Sequence, residues 1–367
     1  MVDVADDFNR ANGTLGPNWQ ASTFAPATQP GNNLYVSLSG SDSNNGSIGA
    51  PFRTITRSTQ VATPGTVVHV APGVYQETVS VGTSGTPGQP IRYQSDVLHG
   101  AIVRPTSSGA IWQVSADWIE VDGFDIDGSL NGNIRVGIMQ YGANDIISRC
   151  LVHHIILNGA TDSNGGAAIL CNGGFYNKAP AHVVGCYVHS IATPSSSRCH
   201  GIYTQQPGGS VLNNIVRDVN GIGITGWHDA SNILYANNTV IRTVGIHVGG
   251  GDFYFLSLAV NQKIVNNIVR DCSWGINQNG FIDPTGWLVD SNLVFGNGID
   301  YGNNGTFFTQ PTNSIAANPN FVNYSANDFH LAATSPAINS GNATYAPTTD
   351  YDGNPRSAPD RGAYEFI

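Results

Sequence analysis

One frame recurs along the second half of this chain, and its asparagines set the register. The segments "VLNNIVRD" (211–218), "YANNTVIR" (235–242), "IVNNIVRD" (264–271) and "VDSNLVFG" (289–296) align so that Asn214, Asn238, Asn267 and Asn292 fall in equivalent places. Upstream, "SRCLVHH" (148–154) and "VGCYVHS" (184–190) fit the same frame, with Cys150 and Cys186 in the asparagine position. A second short apolar run precedes each: "VGIMQ" (136–140), "AAILC" (167–171), "HGIYT" (200–204), "IGITG" (222–226), "VGIHV" (244–248) and "WGINQ" (274–278). Every repeat therefore carries two short β runs joined by turn residues.

Repeats of roughly 20 to 50 residues signal solenoids, propellers or arrays. A leucine-rich template is missing, and a propeller blade would need four strands in about 40 to 45 residues. The spacing predicts an all-β chain, a single-stranded right-handed parallel β-helix with coils stacked about 4.8 Å apart. Equivalent asparagines then form a ladder inside one turn, each side-chain amide bonding the next. Uneven repeat lengths pass into loops on one face.

Composition agrees. With 44 glycines and only 11% charged residues, long solvated helices are excluded. The net charge of -10 argues against nonspecific nucleic-acid binding, which needs a basic face, but leaves local binding of an anionic sugar open. No apolar run approaches the roughly 18 residues of a membrane helix, and "MVDVADDFNR" has the look of no export signal, so the expectation is a soluble chain that is extracellular or virion-associated. Five cysteines, an odd number without C-x-x-C spacing, argue against a zinc site or a full disulfide framework.

The segments "NLYVSLSGSDSNNGSIGAPFRTI" (33–55), "PGTVVHVAPGVYQETVSV" (64–81), "GTPGQPIRYQSD" (85–96) and "VDGFDIDGS" (121–129), with "DFHLAATSPAINSG" (328–341) and "DYDGNPRSAPDRGAYEF" (350–366), together resemble the pectate-lyase-like right-handed parallel β-helix proteins, of bacterial secreted or phage-associated type. That resemblance implies a carbohydrate-active protein whose "APF-x-TI" portion opens a short helix capping the first coil. It divides the chain into an N-terminal extension (1–32), an opening strand and capping helix (33–63), coils (64–300) and a C-terminal coil and cap (301–367). The stretch "DDFNRANGTLGPNW" (6–19) resembles the start of a lectin-like jelly roll but is too short to be one. The acidic C-terminal motifs read as a closing cap in preference to a calcium site.

In the G-I-x-V runs the x positions should face outward, which gives Met139, Leu170, Tyr203, Thr225, His247 and Asn277. His200, Trp227, His228 and Asp229 flank that stripe, and the glycine run before Asp252 leaves room for a ligand, so the preferred groove lies along residues 200–252. Counting three beyond the asparagine position gives a second outward stripe, His153, His189, Arg217, Ile241 and Arg270. Arg217 and Arg270 suit carboxylate binding by paired hydrogen bonds, although a solvated face is the plainer reading.

β-Elimination from a uronate needs the substrate carboxylate neutralised, a base for the C5 proton and an acid for the departing oxygen. The expected chemical group is His228, His200 and Tyr203, with Lys178 reaching from its loop, and with Trp227, His247, Arg217, Arg270 and Asn277 binding substrate. Asp125 and Asp127 alternate in "GFDIDG" and can share a face as metal ligands, calcium being the candidate, though such a motif is more often a turn. The expected activity is thus a polysaccharide lyase acting on an acidic polysaccharide or oligosaccharide. A glycoside hydrolase using Asp229 and Asp252, and a noncatalytic glycan-binding or phage tail module, are the alternatives.

Overall fold

The doubled asparagine has two jobs. In coil after coil the residue before the ladder position has positive φ: His99, Gly123, Arg149 and Gly185, then Asn213, Asn237, Asn266 and Ser291. Asparagine and glycine tolerate this left-handed conformation better than most residues. The second asparagine then turns inward. Asn238 Oδ1 accepts from the backbone N–H and the side-chain amide of Asn214 at 3.0 and 2.9 Å. Asn267 Oδ1 does the same for Asn238 at 3.0 and 2.9 Å, and Asn292 Oδ1 for Asn267 at 2.9 and 2.9 Å. All four ladder residues are 0% exposed, so each bond is made where water cannot replace it.

The computed structural model describes residues 32–131, 133–156, 165–173, 178–192, 198–250, 258–280, 282–303 and 309–367. The expected N-terminal extension, apart from Asn32, lies outside them. The chain is nearly all β, a right-handed parallel β-helix, and it forms two compact units. One comprises residues 32–206 with 219–221, the other 207–218 with 222–367. Among the described residues no helix is long and apolar enough to cross a membrane.

In the 32–206 unit three parallel sheets take one strand each from successive coils. The third sheet, on which the candidate site lies, runs through Gly73–Gln76, Ala101–Arg104, Asp125–Asp127, Leu151–His153 and Tyr187–Ile191. Ile126, Val152 and Val188 are in register and 0% exposed, so they form the core column. Strand alternation then sends Asp125, Asp127, Leu151, His153, Tyr187 and His189 to the outer face. Helix Ile55–Thr59 closes the first coil with Ile55 fully buried, and Thr54 caps it by accepting from Arg57 N–H at 3.1 Å. The Glu77 carboxylate accepts the Ile55 and Thr56 N–H groups at 2.9 and 2.8 Å, satisfying donors that a helix start leaves open.

In the other unit the left-handed turn asparagines hold the C-terminal segment. The amides of Asn213, Asn237 and Asn266 donate to the carbonyls of Thr349 (2.7 Å), Asp360 (2.9 Å) and Asn342 (2.9 Å). Arg356 is buried against Glu365, and the Asp350 carboxylate accepts the N–H groups of Asp352, Asn354 and Glu365 at 3.0, 2.7 and 2.9 Å. The motif "DYDGNPR" is therefore a backbone cap whose carboxylate is already engaged. All five cysteines are buried and none is in a disulfide. Cys150 and Cys186 fill ladder positions as small side chains, their thiols directed at the carbonyls of Val121 and Ile147 at 3.7 Å each.

Candidate functional site

Several residues of the stripe expected to line a groove along residues 200–252 are covered. Thr225, His247 and Asn277 are in register, as the repeat frame requires, but they are only 3%, 7% and 0% exposed. His247 cannot line a substrate groove in this state. Burial pushes its imidazole down to about 4, against a smaller opposing effect of the Val244 carbonyl. Among the described residues neither polar atom of the Asn277 amide has a partner. Trp227 is half-buried, and its ring lies against Gly280, where an added Cβ would come within 2.3 Å of Cη2. His228, at φ 60°, and Asp229 sit half-buried in the turn that follows. Asp252 lies outside the described residues.

The two expected arginines each have an ion-pair partner within the protein. Arg217 pairs with Asp218 at 2.5 Å. Arg270 pairs with Asp271 at 3.2 Å, donates to Asn318 at 3.0 Å and lies 3.8 Å over the Tyr324 ring. Asn318 and Tyr324 tie it to the C-terminal segment. His200, Tyr203 and Lys178 belong to the 32–206 unit, whereas His228 and Asp229 belong to the other. His200 and Tyr203, three apart in sequence, share a face because the strand pairing steps over Gly201, and their rings meet edge-on at 4.8 Å. Lys178 is bound to Asp117 at 2.7 Å.

The third sheet brings together more chemistry. Asp125 and Asp127 do share a face, and the next coil sets His153 beside Asp127 in register and His189 beside His153. His153 Nε2 lies 2.8 Å from Asp125 Oδ1, a hydrogen bond that fixes the orientation of the ring. That Nδ1 is 2.5 Å from His154 Nδ1 and 3.6 Å from Asp127 Oδ1, and His154 Nδ1 is 3.9 Å from the same oxygen. Arg104 Nε donates to Asp127 Oδ2 at 2.7 Å, and Ser129 N–H to Oδ1 at 2.9 Å. Burial raises the Asp127 carboxyl, but the bonds from Ser129 and Arg104 and the charge of His153 outweigh it and hold the group below the usual range. Asp127 is thus an anion in a nearly closed position.

Around this core, the His189 ring stacks on His153 at 5.1 Å and 10°, and Tyr187 meets His189 edge-on at 5.4 Å. The side chain of His153 is 13% exposed and that of His154 44%, so the cluster opens to solvent through His154. Arg104, His154 and Tyr187 were not singled out from the sequence. Tyr187 lies two residues before His189 in the quoted repeat and could have been read from strand alternation.

The donor set does not suit calcium, which takes about six to eight oxygens. Asp127 offers one oxygen not already bonded to Arg104, and Asp125 is committed to His153.

Three parallel sheets with inward apolar columns and turn ladders define a right-handed parallel β-helix. A solved structure described as pectate lyase Pel9A is similar over 92% of this chain and 96% of its own, with TM-score 0.55 and 18% identity, a likeness of fold. A family described as a protein of unknown function, DUF1565, matches residues 38–81. The uncharacterized protein YwoF of Bacillus subtilis (strain 168) is 45% identical over 65 residues, which are 18% of this chain and 14% of that protein.

Proposed function

We propose that the protein is a polysaccharide lyase that cleaves an acidic, uronate-containing chain by β-elimination on the outer face of the third sheet. The observation that carries this reading is the contact of Tyr187 with His189, and of His189 with the His153 cluster, on one face of adjacent strands. The expected pairing of an imidazole with a phenol thus recurs beside a group of charges, at Tyr187 and His189. His200 and Tyr203 repeat it on the second sheet.

In the proposed reaction His189 accepts the C5 proton. The electron pair of that C–H bond forms the C4–C5 double bond, the C4–O bond breaks, and Tyr187 gives a proton to the departing oxygen. Arg104, which donates to Asp127 at 2.7 Å, would offset the charge of the substrate carboxylate so that C5–H becomes acidic. The likeness of fold to a protein described as a pectate lyase supports this choice of chemistry.

The test is incubation with a panel of uronate polymers, following the ultraviolet absorbance of the unsaturated product. His189→Ala should lower turnover by roughly 10²- to 10⁴-fold, the span ordinary for losing a general base, with thermal unfolding little changed. Reducing ends without unsaturated product would overturn elimination in favour of hydrolysis. Full activity in His189→Ala with loss in His200→Ala would move the site to the second sheet.

A further inference from the structure

We propose that Asp127, His153 and His154 form a binding site for a divalent transition-metal ion of the zinc type, with one coordination position left for substrate or water. Three features of the geometry point there. First, His153 Nδ1, His154 Nδ1 and Asp127 Oδ1 converge, at separations of 2.5, 3.6 and 3.9 Å. Among the described residues this is the group of three metal-ligating side chains that lies close enough to hold one ion. Second, the other nitrogen of His153 faces Asp125 at 2.8 Å, the carboxylate that commonly orients a metal-bound imidazole and raises its basicity. Third, two nitrogens and one carboxylate oxygen suit a borderline-soft ion, and three protein ligands leave the open position of a reactive centre.

The fit requires one small movement. At metal–nitrogen distances of about 2.0 to 2.1 Å, two ligands of a tetrahedral site stand roughly 3.3 Å apart. The two Nδ1 atoms must therefore separate beyond their present 2.5 Å. His154 can supply that motion, because its side chain is 44% exposed. Its backbone is left-handed, with φ 55°, and this turns the ring back toward His153, where a continuing strand would carry it to the opposite face.

The inference rests on the third-sheet reading of the active face and deepens it. The bound ion would join Arg104 in offsetting the substrate carboxylate, beside His189 and Tyr187.

The full chain, stripped with a chelator, is titrated with Zn²⁺ against a chromophoric competitor, and Co²⁺ is followed by its visible absorbance. The expected result is one tight equivalent of Zn²⁺ and the intense Co²⁺ spectrum of low coordination number. Excess Ca²⁺ should not displace the ion. His154→Gln should abolish that spectrum, and Asp125→Asn should weaken binding by roughly 10- to 100-fold. His330→Gln, which removes a separate histidine held by Asp328 and Asp352, should leave binding unchanged. Binding unaltered by His154→Gln, no stoichiometric binding, or displacement by Ca²⁺ overturns the site. Because binding is read without substrate, a chain that binds Zn²⁺ but cleaves no uronate polymer sinks the lyase reading alone. One that cleaves but binds no Zn²⁺ sinks this inference alone.

Discussion

His247 shows how a side chain can be placed correctly in a repeat and still be covered. The G-I-x-V frame does put it in register with Thr225 and Asn277, yet all three are covered, which alternation along a strand cannot reveal. Its burial has a consequence for acid stability. The folded imidazole stays neutral down to about pH 4, while the ordinary value of 6.5 applies once the chain unfolds. The stability tied to this neutral form is complete above pH 6.5 and is lost as pH falls through that window, by up to about 3 kcal/mol. His247→Leu should flatten the acid limb of the denaturant midpoint between those pH values; an identical limb in both proteins would reject the assignment. His154 illustrates the opposite failure. Sequence alternation separates it from His153, and only its positive φ reunites them.

At the scale of strands and turns the sequence was far more legible. The asparagine frame predicted a ladder, and the ladder is present from Asn214 to Asn292. Asn238 accepts two bonds from Asn214 and donates to Asn267 and to the Val211 carbonyl at 2.8 Å. Asn238→Ala leaves those buried partners unsatisfied and should cost about 1–3 kcal/mol in equilibrium unfolding, and a neutral result would show that the ladder is incidental. The candidate face was half legible by the same logic. Counting three from the ladder position reaches His153 and His189, and from Phe124 it reaches Asp127. The same count from Gly100 misses Arg104, because that coil carries one extra residue between its left-handed turn at His99 and the register it shares with Asp125–Asp127. Repeat frames find what recurs at a fixed offset, and a one-residue insertion hides the rest.

Across the 207–218 and 222–367 unit the C-terminal segment matters as much as the coils. Its acidic motifs were read as a closing cap, and Arg356 is the centre of that cap. Arg356 is bonded to Glu365, to Asn213 at 3.1 Å and to the carbonyls of Gly362 and Ala363 at 2.9 and 3.0 Å. Removing it leaves a buried carboxylate without its cation. Arg356→Ala should cost about 3–5 kcal/mol, measured by chemical unfolding, and a change within error would mean that the cap is dispensable. In a plain solenoid each repeat touches only its neighbours, so terminal repeats can be lost one at a time. Here the amides of Asn213, Asn237 and Asn266 grip the returning segment at three successive coils. A pull applied to that segment is shared among those coils and loads them in shear, so the last coil cannot be peeled away before the clasp itself gives.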